Sequence, residues 1–413
     1  MTLTPRTVAA LVALAALALV VPAGVAYAAL VVLAGATLGD ALLARAAPRV
    51  TRSVPPVLSR GVGVPLTIAV EEQGQHTRVR QPLVPDLHLD AQEGDGGLHA
   101  TLTPRRRGRH ALPAVALRAR GPLGLGAWQH RAAGDAELTV YPDLPSARRL
   151  VLAVREGRVR DPGVRTRGPI GLGTEFERVR DYLPDDDVRQ VNWRATARAG
   201  RPMSNQHRVE QDQEIIIILD VGRLMAAPLG DRTRLDEALD AAAALALVAD
   251  ELGDRAGAIA FDDAIRRRVR PGRASGRDVV RQTFDLEPSG RDSDYELAFR
   301  TVGRGKRALV VVLTDLLDDA AARALADAVP FLARRHAVVV ASARDPDVEA
   351  LASDDDSDTD PYMNAAARDL LAARERAAAA LRGAGATVVE APPGRLNAAC
   401  VQAYLRAKSR RRL

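Results

Sequence analysis

The sequence contains little from which covalent or thiolate sites could be built. Its one cysteine, Cys400, excludes a disulfide framework and a thiolate metal cluster within a single chain. Aromatic residues make up 3% of the 413 residues while hydrophobic residues make up 47%, so alanine, leucine and valine must form most of the core. Lysine is nearly absent, and arginine carries almost all of the positive charge. This composition suits helices and parallel strands better than aromatic-rich recognition surfaces.

The net charge of +6 is not a sign of nucleic-acid binding here. The cations are scattered among 52 acidic residues, and the aromatic side chains that would stack on bases are missing. We therefore predict no nucleic-acid partner and interpret the arginine excess as compositional bias on solvated faces. The basic end Arg410–Arg412 is interpreted as a disordered tail.

The usual motifs of catalysis are also missing. The seven histidines lack metal-ligand spacing, and there is no phosphate-binding loop followed by Lys-Ser. The glycine-rich stretches 121–126 and 168–173 are not followed by helices, and Cys400 lies in an apolar helical pattern typical of a buried thiol. We predict a protein that is not an enzyme, with no catalytic or cofactor-binding residues.

The N-terminal segment predicts a membrane anchor. Thr7 to Gly39 contain no charge, and one helix of that length would exceed a hydrocarbon core of roughly 30 Å. A turn at 22–24 predicts two helices, Leu3–Val21 and Val25–Leu43, and arginines flank both outer ends. The positive-inside rule then predicts a multi-pass protein of the inner membrane whose soluble domains face the cytoplasm. The alternative is a signal peptide cleaved near Ala26-Tyr27-Ala28.

Short alternating strands follow. The pattern predicts strands at Val64–Glu71, Leu98–Thr103, His110–Arg118 and Glu137–Tyr141, spaced as in a small antiparallel sandwich. The cluster Arg105–Arg109 is interpreted as a solvated turn, with a phosphate or lipid-headgroup patch as the alternative.

The C-terminal half alternates buried strands with helices, which predicts an α/β doubly wound, Rossmann-type sheet. Asp220 follows the strand Glu214–Leu219, and Asp315 follows the strand Ala308–Leu313. Ligands of such sheets bind at the carboxyl ends of the strands. Caps for the helices that follow are the simpler interpretation of these two acids. The further predicted elements are helices at 234–252, 320–335 and 364–384, strands at 255–261, 337–342 and 387–389, and a terminal helix.

Residues 173–200 hold the densest motif, in which acids and arginines alternate around Trp193. We interpret it as an ion-pair network around an anchored indole, with a hydrolase site at the acid cluster 185–187 as an alternative. The stretch resembles the signature of the bacterial domain-of-unknown-function-58 family. The residues that match include Glu175, Arg180, Tyr182, Asp186, Asp187, Arg189, Trp193 and Arg198. Asp185, Val191 and Asn192 depart from the family pattern.

The resemblance implies a von Willebrand A-like domain after the motif. In that family a divalent cation is held by Asp-x-Ser-x-Ser, a threonine and a second aspartate, but here Gly222 and Leu224 replace the two serines. Asp220 and Asp315 remain, which implies a degenerate metal site with weak Mg²⁺ binding. Alternatively, Arg223 could neutralise these two acids by an ion pair. Ser293 or Asp292 could take the place of the threonine.

The resemblance also implies a partner. Genes of the family are commonly neighbours of MoxR-type AAA+ ATPases, so we expect a membrane-anchored scaffold or adaptor that binds such an ATPase during protein remodelling or maturation. The alternative is a metal-dependent adhesion or receptor module that faces outward. We expect two transmembrane helices at 1–50, a β-rich sandwich-like domain at 51–145, the signature segment at 146–210 and the von Willebrand A-like domain at 211–413.

Overall fold

The computed structural model describes residues 2–71, 77–158, 175–183, 191–208, 212–303, 305–353 and 361–409. The chain divides into two compact units, Met1–Tyr141 and Pro142–Leu413. The division comes where the last strand of the β-rich region ends.

Two apolar helices begin the first unit, α1 (Pro5–Leu17) and α2 (Ala23–Leu43). Thr4 caps α1 through its side chain, and Pro5 occupies the first helical position, where it costs no hydrogen bond. Among the described residues only α2, with 21 residues, is long and apolar enough to cross a membrane by length and composition. The 13 residues of α1 extend about 20 Å, which is shorter than a hydrocarbon core of roughly 30 Å. The sequence pattern predicted two membrane spans, whereas one described helix, α2, reaches the required length.

The end of α2 is fixed to the β-rich part of its own unit by Asp40. This carboxylate is 2% exposed and accepts backbone N–H bonds from Leu123, Leu125 and Gly126 at 2.7–2.8 Å. A Cβ on Gly126 would meet Ala41 at 2.6 Å, so a glycine is needed for this approach. The backbone of the glycine-rich stretch 121–126 thus binds the end of α2 through Asp40 and the residue before α1 through Thr4.

Three sheets build the rest of the first unit. Their orders are β1-β11-β10-β5-β7, β2-β4-β8-β6 and β3-β12-β9. A core of aliphatic residues that includes Leu66, Ile68 and Leu102 is buried among them. The strands are β1 (Thr2–Leu3), β2 (Val50–Ser53), β3 (Val57–Ser59), β4 (Val64–Val70), β5 (Thr77–Arg80), β6 (Leu87–Leu89), β7 (Glu93–Asp95), β8 (Gly97–Pro104), β9 (Gly108–Leu112), β10 (Val115–Arg120), β11 (Gly126–Ala132) and β12 (Ala136–Tyr141).

Two details of this region differ from the predictions. The strand predicted at His110–Arg118 is two strands, β9 and β10, because Pro113 between them has no N–H for a sheet ladder. Arg107 is 2% exposed, so the cluster Arg105–Arg109 is not a uniformly solvated turn.

The second unit contains a six-stranded sheet of order β19-β18-β15-β20-β21-β22, besides the antiparallel pair β13 and β14 and the short pair β16 and β17. Its strands are β13 (Glu175–Asp181), β14 (Met203–Arg208), β15 (Glu214–Asp220), β16 (Pro228–Leu229), β17 (Arg232–Thr233), β18 (Arg255–Phe261), β19 (Ile265–Gly272), β20 (Ala308–Leu313), β21 (Ala337–Ala343) and β22 (Thr387–Ala391). Its helices are α3 (Leu144–Arg155), α4 (Trp193–Ala199), α5 (Arg234–Glu251), α6 (Gly276–Thr283), α7 (Tyr295–Val302), α8 (Asp319–Ala333), α9 (Pro346–Ser353), α10 (Pro361–Gly383) and α11 (Leu396–Ser409).

The six-stranded sheet is covered on both faces. Alternate residues of β15 enter two separate cores: Ile215 and Ile217 pack with α5 and α11, while Ile216 and Ile218 pack with α7 and α8. This explains why the strand is apolar without interruption. Pairing is parallel except at the edge, where β19 runs antiparallel to β18. The sequence pattern missed β19, whose edge position leaves its arginines exposed.

Candidate functional site

The carboxyl ends of β15 and β20 are adjacent in the sheet. After β15 the chain continues to α5 on one face of the sheet, and after β20 it continues to α8 on the other face. In doubly wound sheets this position is the usual ligand site. Asp220 ends β15, and Thr314 and Asp315 follow β20. All three side chains are buried, at 1–4% exposure. The structure therefore brings both acids predicted from the sequence to one edge.

Asp220 is surrounded by hydroxyl donors. Its Oδ1 accepts from the Ser293 hydroxyl at 2.5 Å and from the Gly222 backbone N–H at 2.8 Å. Its Oδ2 accepts from Thr314 Oγ1 at 2.6 Å and from the Tyr295 hydroxyl at 3.0 Å. Both carboxylate oxygens are thus satisfied within the protein, as buried charged groups require.

Ser293 occupies the space that a side chain at position 222 would take. A Cβ on Gly222 would lie 2.1 Å from Ser293 Oγ. Position 222 is where the resembled family carries the first serine of its Asp-x-Ser-x-Ser motif. A hydroxyl absent from this loop is thus supplied by the loop before α7.

Tyr295, like Thr314, is a member of this cluster that was not predicted from the sequence. Its hydroxyl contacts Asp220 and also Thr314 Oγ1, at 3.0 Å each. Burial, and next the negative charge of Asp220, raises the pKa of Tyr295 well above its usual value. It therefore acts as a neutral donor. Its position at the first residue of α7 gave no sequence signal, because the contact spans 75 residues.

Asp315 has a different partner, the buried guanidinium of Arg234. Arg234 is 5% exposed and donates to Asp315 Oδ1 and to Asp345 Oδ2, both at 2.9 Å. Burial raises the pKa of Asp315, while the charges of Arg234 and Arg374 act against this rise. Arg234 begins α5 directly after the Thr233 cap, so a fixed cation reaches the edge from a helix N-terminus.

Two other predictions about these acids are wrong. Neither caps a helix: Asp318 caps α8 by accepting from Ala320 and Ala321, and no side chain caps the short 3₁₀ helix after Asp220. Arg223 does not neutralise them either. Its guanidinium, half exposed, pairs with Asp292 at 2.5 Å and approaches Asp318 at 3.5 Å.

A third acid lies at the same edge. Asp262 follows β18 and is fully buried. Burial raises its pKa, but the Arg266 guanidinium at 2.7 Å and the Ala264 N–H at 2.9 Å outweigh that effect and lower the pKa to about 2. This carboxylate is therefore charged and has its own cation.

The residues at this edge do not fit a divalent cation. Magnesium requires several hard oxygen ligands in near-octahedral geometry. Asp220 already accepts four hydrogen bonds, and Asp315 is paired with a guanidinium that would repel a second cation. Within the described residues no group of three or more His, Cys, Asp or Glu side chains could hold a metal ion. The resemblance implied weak Mg²⁺ binding at Asp220 and Asp315, and the measurement that tests it is given in the Discussion.

A groove opens beside this cluster, between α7 and α8. It has a volume of about 550 Å³. Apolar lining comes from Phe299, Ala328 and Phe331, whose ring is 47% exposed. Ser293, Tyr295 and the acids Asp294, Glu296 and Asp327 also line it. The groove is thus open, partly apolar and acidic.

The signature segment forms a separate structure. β13 and β14 pair antiparallel, with Glu175 opposite Arg208. Helix α4 lies between these strands in the sequence. Arg180 lies in β13, Tyr182 follows it, and Arg198 is exposed on the last turn of α4. Asp186, Asp187 and Arg189, and with them the acid cluster 185–187, lie outside the described residues.

Trp193 does not anchor an ion-pair network. Trp193 is the first residue of α4 and is 72% exposed, so the interpretation of an anchored indole is wrong. The nearby pair of Arg201 and Asp181, at 3.3 Å, is also exposed.

Cys400 is fully buried in α11, and burial raises the pKa of its thiol to about 12. Such a thiol is inert near neutral pH.

Comparison with known proteins gives a family and distant relatives. Uncharacterized protein Mb1516 of Mycobacterium bovis and uncharacterized protein Rv1480 of Mycobacterium tuberculosis are each 29% identical over 153 residues, 36% of this chain and 48% of theirs. The chain thus spans about half the length of the curated relatives it matches.

Two solved structures show slight likeness. Superoxide reductase (neelaredoxin) from Ignicoccus hospitalis is 12% identical, with 26% of this chain and 90% of that chain covered. The sulfur carrier protein SoxY from Chlorobium limicola f thiosulfatophilum is 13% identical, with 26% and 97% covered. Both have a TM-score of 0.14, at which neither informs fold or function.

The model of the family described as "Protein of unknown function DUF58" matches residues 178–380. This range includes α4, the whole Asp220 cluster and five of the six strands of the large sheet, which are β15, β18, β19, β20 and β21. The chain belongs to the DUF58 family.

Proposed function

We propose that this protein is a membrane-anchored protein-interaction scaffold whose C-terminal unit is a von Willebrand A-like domain. The sheet supports this reading: numbered from β15 in chain order, its strands lie in the order 3-2-1-4-5-6, with the third antiparallel. Asp220 and Asp315 stand where that domain carries its ligand site. The fold alone does not define a function, so the site must carry the argument.

The groove between α7 and α8 is the observation that carries the proposal. It begins at Ser293 and Tyr295 of the Asp220 cluster and continues to the exposed ring of Phe331. An exposed aromatic side chain in a groove is a common centre of binding energy in protein interfaces. The acids Asp294 and Asp327 favour a partner segment that is both basic and apolar.

Binding, not catalysis, is the role that the polar groups support. The Ser293, Thr314 and Tyr295 hydroxyls all donate to Asp220, and Asp315 is held by Arg234. A nucleophile needs a neighbouring base that can accept its proton, whereas the Asp220 carboxylate already accepts four hydrogen bonds and serves to position loops. We therefore propose that the protein is not an enzyme and that these contacts set the shape of the binding face.

The N-terminal helices supply the anchor in this proposal. α2 is long enough to span a membrane, and α1 followed by a short turn would form the first half of a hairpin. Arginines at positions 6, 45, 49 and 52 flank the outer ends of the pair. By the positive-inside rule we propose a multi-pass inner-membrane protein whose soluble units face the cytoplasm.

The proposed partner is a MoxR-type AAA+ ATPase acting in protein remodelling or maturation. It should be tested with the purified full-length chain in detergent and the purified ATPase of the same organism. Phe331→Asp should weaken the affinity by at least about tenfold, the effect of removing a central aromatic contact. Tyr362→Asp is the matched control, because Tyr362 is 84% exposed and does not line the groove.

The outcomes separate the parts of the proposal. Failure of the folded wild-type protein to bind the ATPase would remove that partner, and equal weakening by both variants would remove the groove as the binding face. Orientation is tested separately with a C-terminal tag in inside-out vesicles. Complete protection of the tag from protease would contradict the cytoplasmic assignment.

A further inference from the structure

Arginines cover the outer face of the five-stranded sheet in the N-terminal unit. Arg78 and Arg80 lie on β5, Arg118 on β10 and Arg131 on β11. Arg78 is directly opposite Arg118, while Ala116 is opposite both Arg80 and Arg131. Residues directly opposite each other share a face of the sheet, so the four side chains form one group, called here the arginine face.

The arginine face has an excess of positive charge. The acids that share it lie on β7, where Glu93 is opposite Arg80 and Asp95 is opposite Arg78. Glu93 pairs with Arg78 at 2.9 Å and approaches Arg80 at 3.7 Å, yet both arginine side chains remain more than half exposed. Like charges placed directly opposite each other destabilise a sheet. Glu93 offsets part of the repulsion between Arg78 and Arg118, but the four arginines of this face outnumber its two acids.

An open pocket lies on this face. It has a volume of about 640 Å³ and is lined by the four arginines together with Glu93 and Gln129. Arg118 donates through its NH2 group to the Leu3 carbonyl oxygen at 2.9 Å, while its buried Nε has no hydrogen-bond partner among the described residues. A buried donor without a partner is costly. Because this Nε is closed to solvent, the guanidinium groups of the pocket that a ligand can reach are those of the exposed Arg78, Arg80 and Arg131.

The same sheet meets the base of the apolar helices. β1, at Thr2–Leu3, pairs with β11 and leads directly into α1. At the end of α2, His130 Nε2 lies 3.0 Å from the Ala44 carbonyl oxygen, and the Arg45 guanidinium lies over the Trp128 ring. Arg118, through its bond to Leu3, therefore stands two residues from the first turn of α1.

We propose that the arginine face binds the phosphate groups of acidic phospholipids in the leaflet from which α1 and α2 emerge. The inference rests on the proposed membrane anchoring. Guanidinium groups bind phosphate oxygens through paired N–H donors, and each arginine held near an anionic surface strengthens binding about fivefold. A nucleic acid fits less well, because the paired residues of this face include no aromatic side chain for base stacking.

The test uses the full-length chain in detergent micelles and counts retained lipids by native mass spectrometry. Dioleoyl phosphatidylglycerol and dioleoyl phosphatidylcholine are supplied in equal amounts. The wild-type protein should retain phosphatidylglycerol in clear preference. The triple variant Arg78→Gln, Arg80→Gln, Arg131→Gln should lose this preference by at least tenfold. Arg118 is left unchanged because it also bonds the backbone beside α1.

A matched triple variant controls for total charge. Arg267→Gln, Arg268→Gln and Arg270→Gln remove three exposed arginines from β19 in the other unit, and this protein should keep the preference. Equal loss in both triple variants would overturn the proposal. So would complete displacement of the lipid by inorganic phosphate, which would indicate a simple anion site.

Folding and anchoring have separate measurements. If the arginine triple lowers the thermal unfolding midpoint, Arg131→Gln alone replaces it, with about fivefold loss expected. Extraction of membranes with alkaline carbonate tests the anchor. A wild-type chain that is released contradicts the anchoring proposal, whereas a chain that stays in the membrane and shows no lipid preference contradicts only the arginine face.

Discussion

The two units place their charges in opposite environments. At the carboxyl edge of the C-terminal sheet, Asp220, Asp315 and Arg234 are all at most 5% exposed, and each has partners of the complementary kind. On the N-terminal sheet, Arg78 and Arg80 are more than half exposed and share one face with further arginines. Buried charges cost several kcal/mol unless they are paired, whereas exposed charges interact only weakly because water screens them.

The difference teaches where each unit can respond to a partner. A saturated buried network fixes the loops at the edge, so the proposed binding face is the groove beside it. An exposed face with an excess of positive charge acts over roughly a Debye length, about 8 Å at physiological ionic strength. Predictions at the buried edge therefore concern stability, and predictions at the open face concern affinity.

The largest effect on stability should come from Arg234→Met. The change leaves Asp315 and Asp345 without the guanidinium that pairs with both. Removal of one partner from a buried ion pair costs about 3–5 kcal/mol, because the remaining charge is buried alone. Urea unfolding should show this loss in the free energy of unfolding.

Two companion variants identify the cause. Arg270→Met, at an exposed position of β19, should change stability by less than about 0.5 kcal/mol. Adding Asp315→Asn to Arg234→Met should restore part of the loss, because one unpaired negative charge is removed. A stability of Arg234→Met equal to that of the wild type would mean that the edge does not depend on its buried cation.

Asp262 offers a test by pH. Its pKa is lowered from 3.8 to about 2 in the folded protein, so its carboxylate stabilises the fold above pH 3.8 and loses this contribution as the pH falls toward 2. The shift corresponds to about 2 kcal/mol. The stability difference between wild type and Asp262→Asn should therefore be largest near pH 7 and should shrink below pH 4.

Asp263→Asn is the neighbouring control. Asp263 is 40% exposed in its side chain and also contacts Arg266, but it is not buried. Its effect on stability should be smaller and should not follow the same titration. A pH-independent difference for Asp262→Asn would show that the lost contact is steric or neutral.

Gly222→Ala tests whether Ser293 fills the space that a side chain at position 222 would need. The backbone of Gly222 has a φ of −71°, which any residue can adopt, so the obstacle is the side chain of Ser293. Overpacking of this kind costs about 1–3 kcal/mol. Addition of Ser293→Gly should recover part of the loss by clearing the space, although the Arg291 carbonyl oxygen at 3.0 Å limits the recovery. If stability is not recovered, the side chain of Ser293 is not the cause of the loss in Gly222→Ala.

The parallel strands could be predicted from the sequence because each is a continuous apolar run. The bounds predicted for Arg255–Phe261 and Ala308–Leu313 coincide with β18 and β20. Position in a parallel sheet also brought Asp220 and Asp315 to one edge. Local pattern was sufficient for these features because burial on both faces leaves a signal in every residue.

The partners at that edge could not be predicted, because they come from distant parts of the chain. Thr314 reaches Asp220 across 94 residues and Arg234 reaches Asp315 across 81. The edge strand β19 was missed because its residues alternate poorly between apolar and charged types. Trp193 was expected inside a network, but a tryptophan on a short helix carries no local signal for burial.

The smallest predicted effect concerns Mg²⁺ and tests whether the buried edge is closed to ions. Asp220 is saturated by hydrogen bonds and Asp315 is neutralised by Arg234, so millimolar Mg²⁺ should leave the thermal unfolding midpoint of the wild-type protein unchanged. A ligand that binds only the folded state raises that midpoint. Calorimetry with Mg²⁺ and Mn²⁺ should likewise give no heat. A clear rise with Mg²⁺ that is abolished by Asp220→Asn would show that the hydroxyl cluster opens to a cation despite Arg234, and the contrast between a closed edge and an open arginine face would fail.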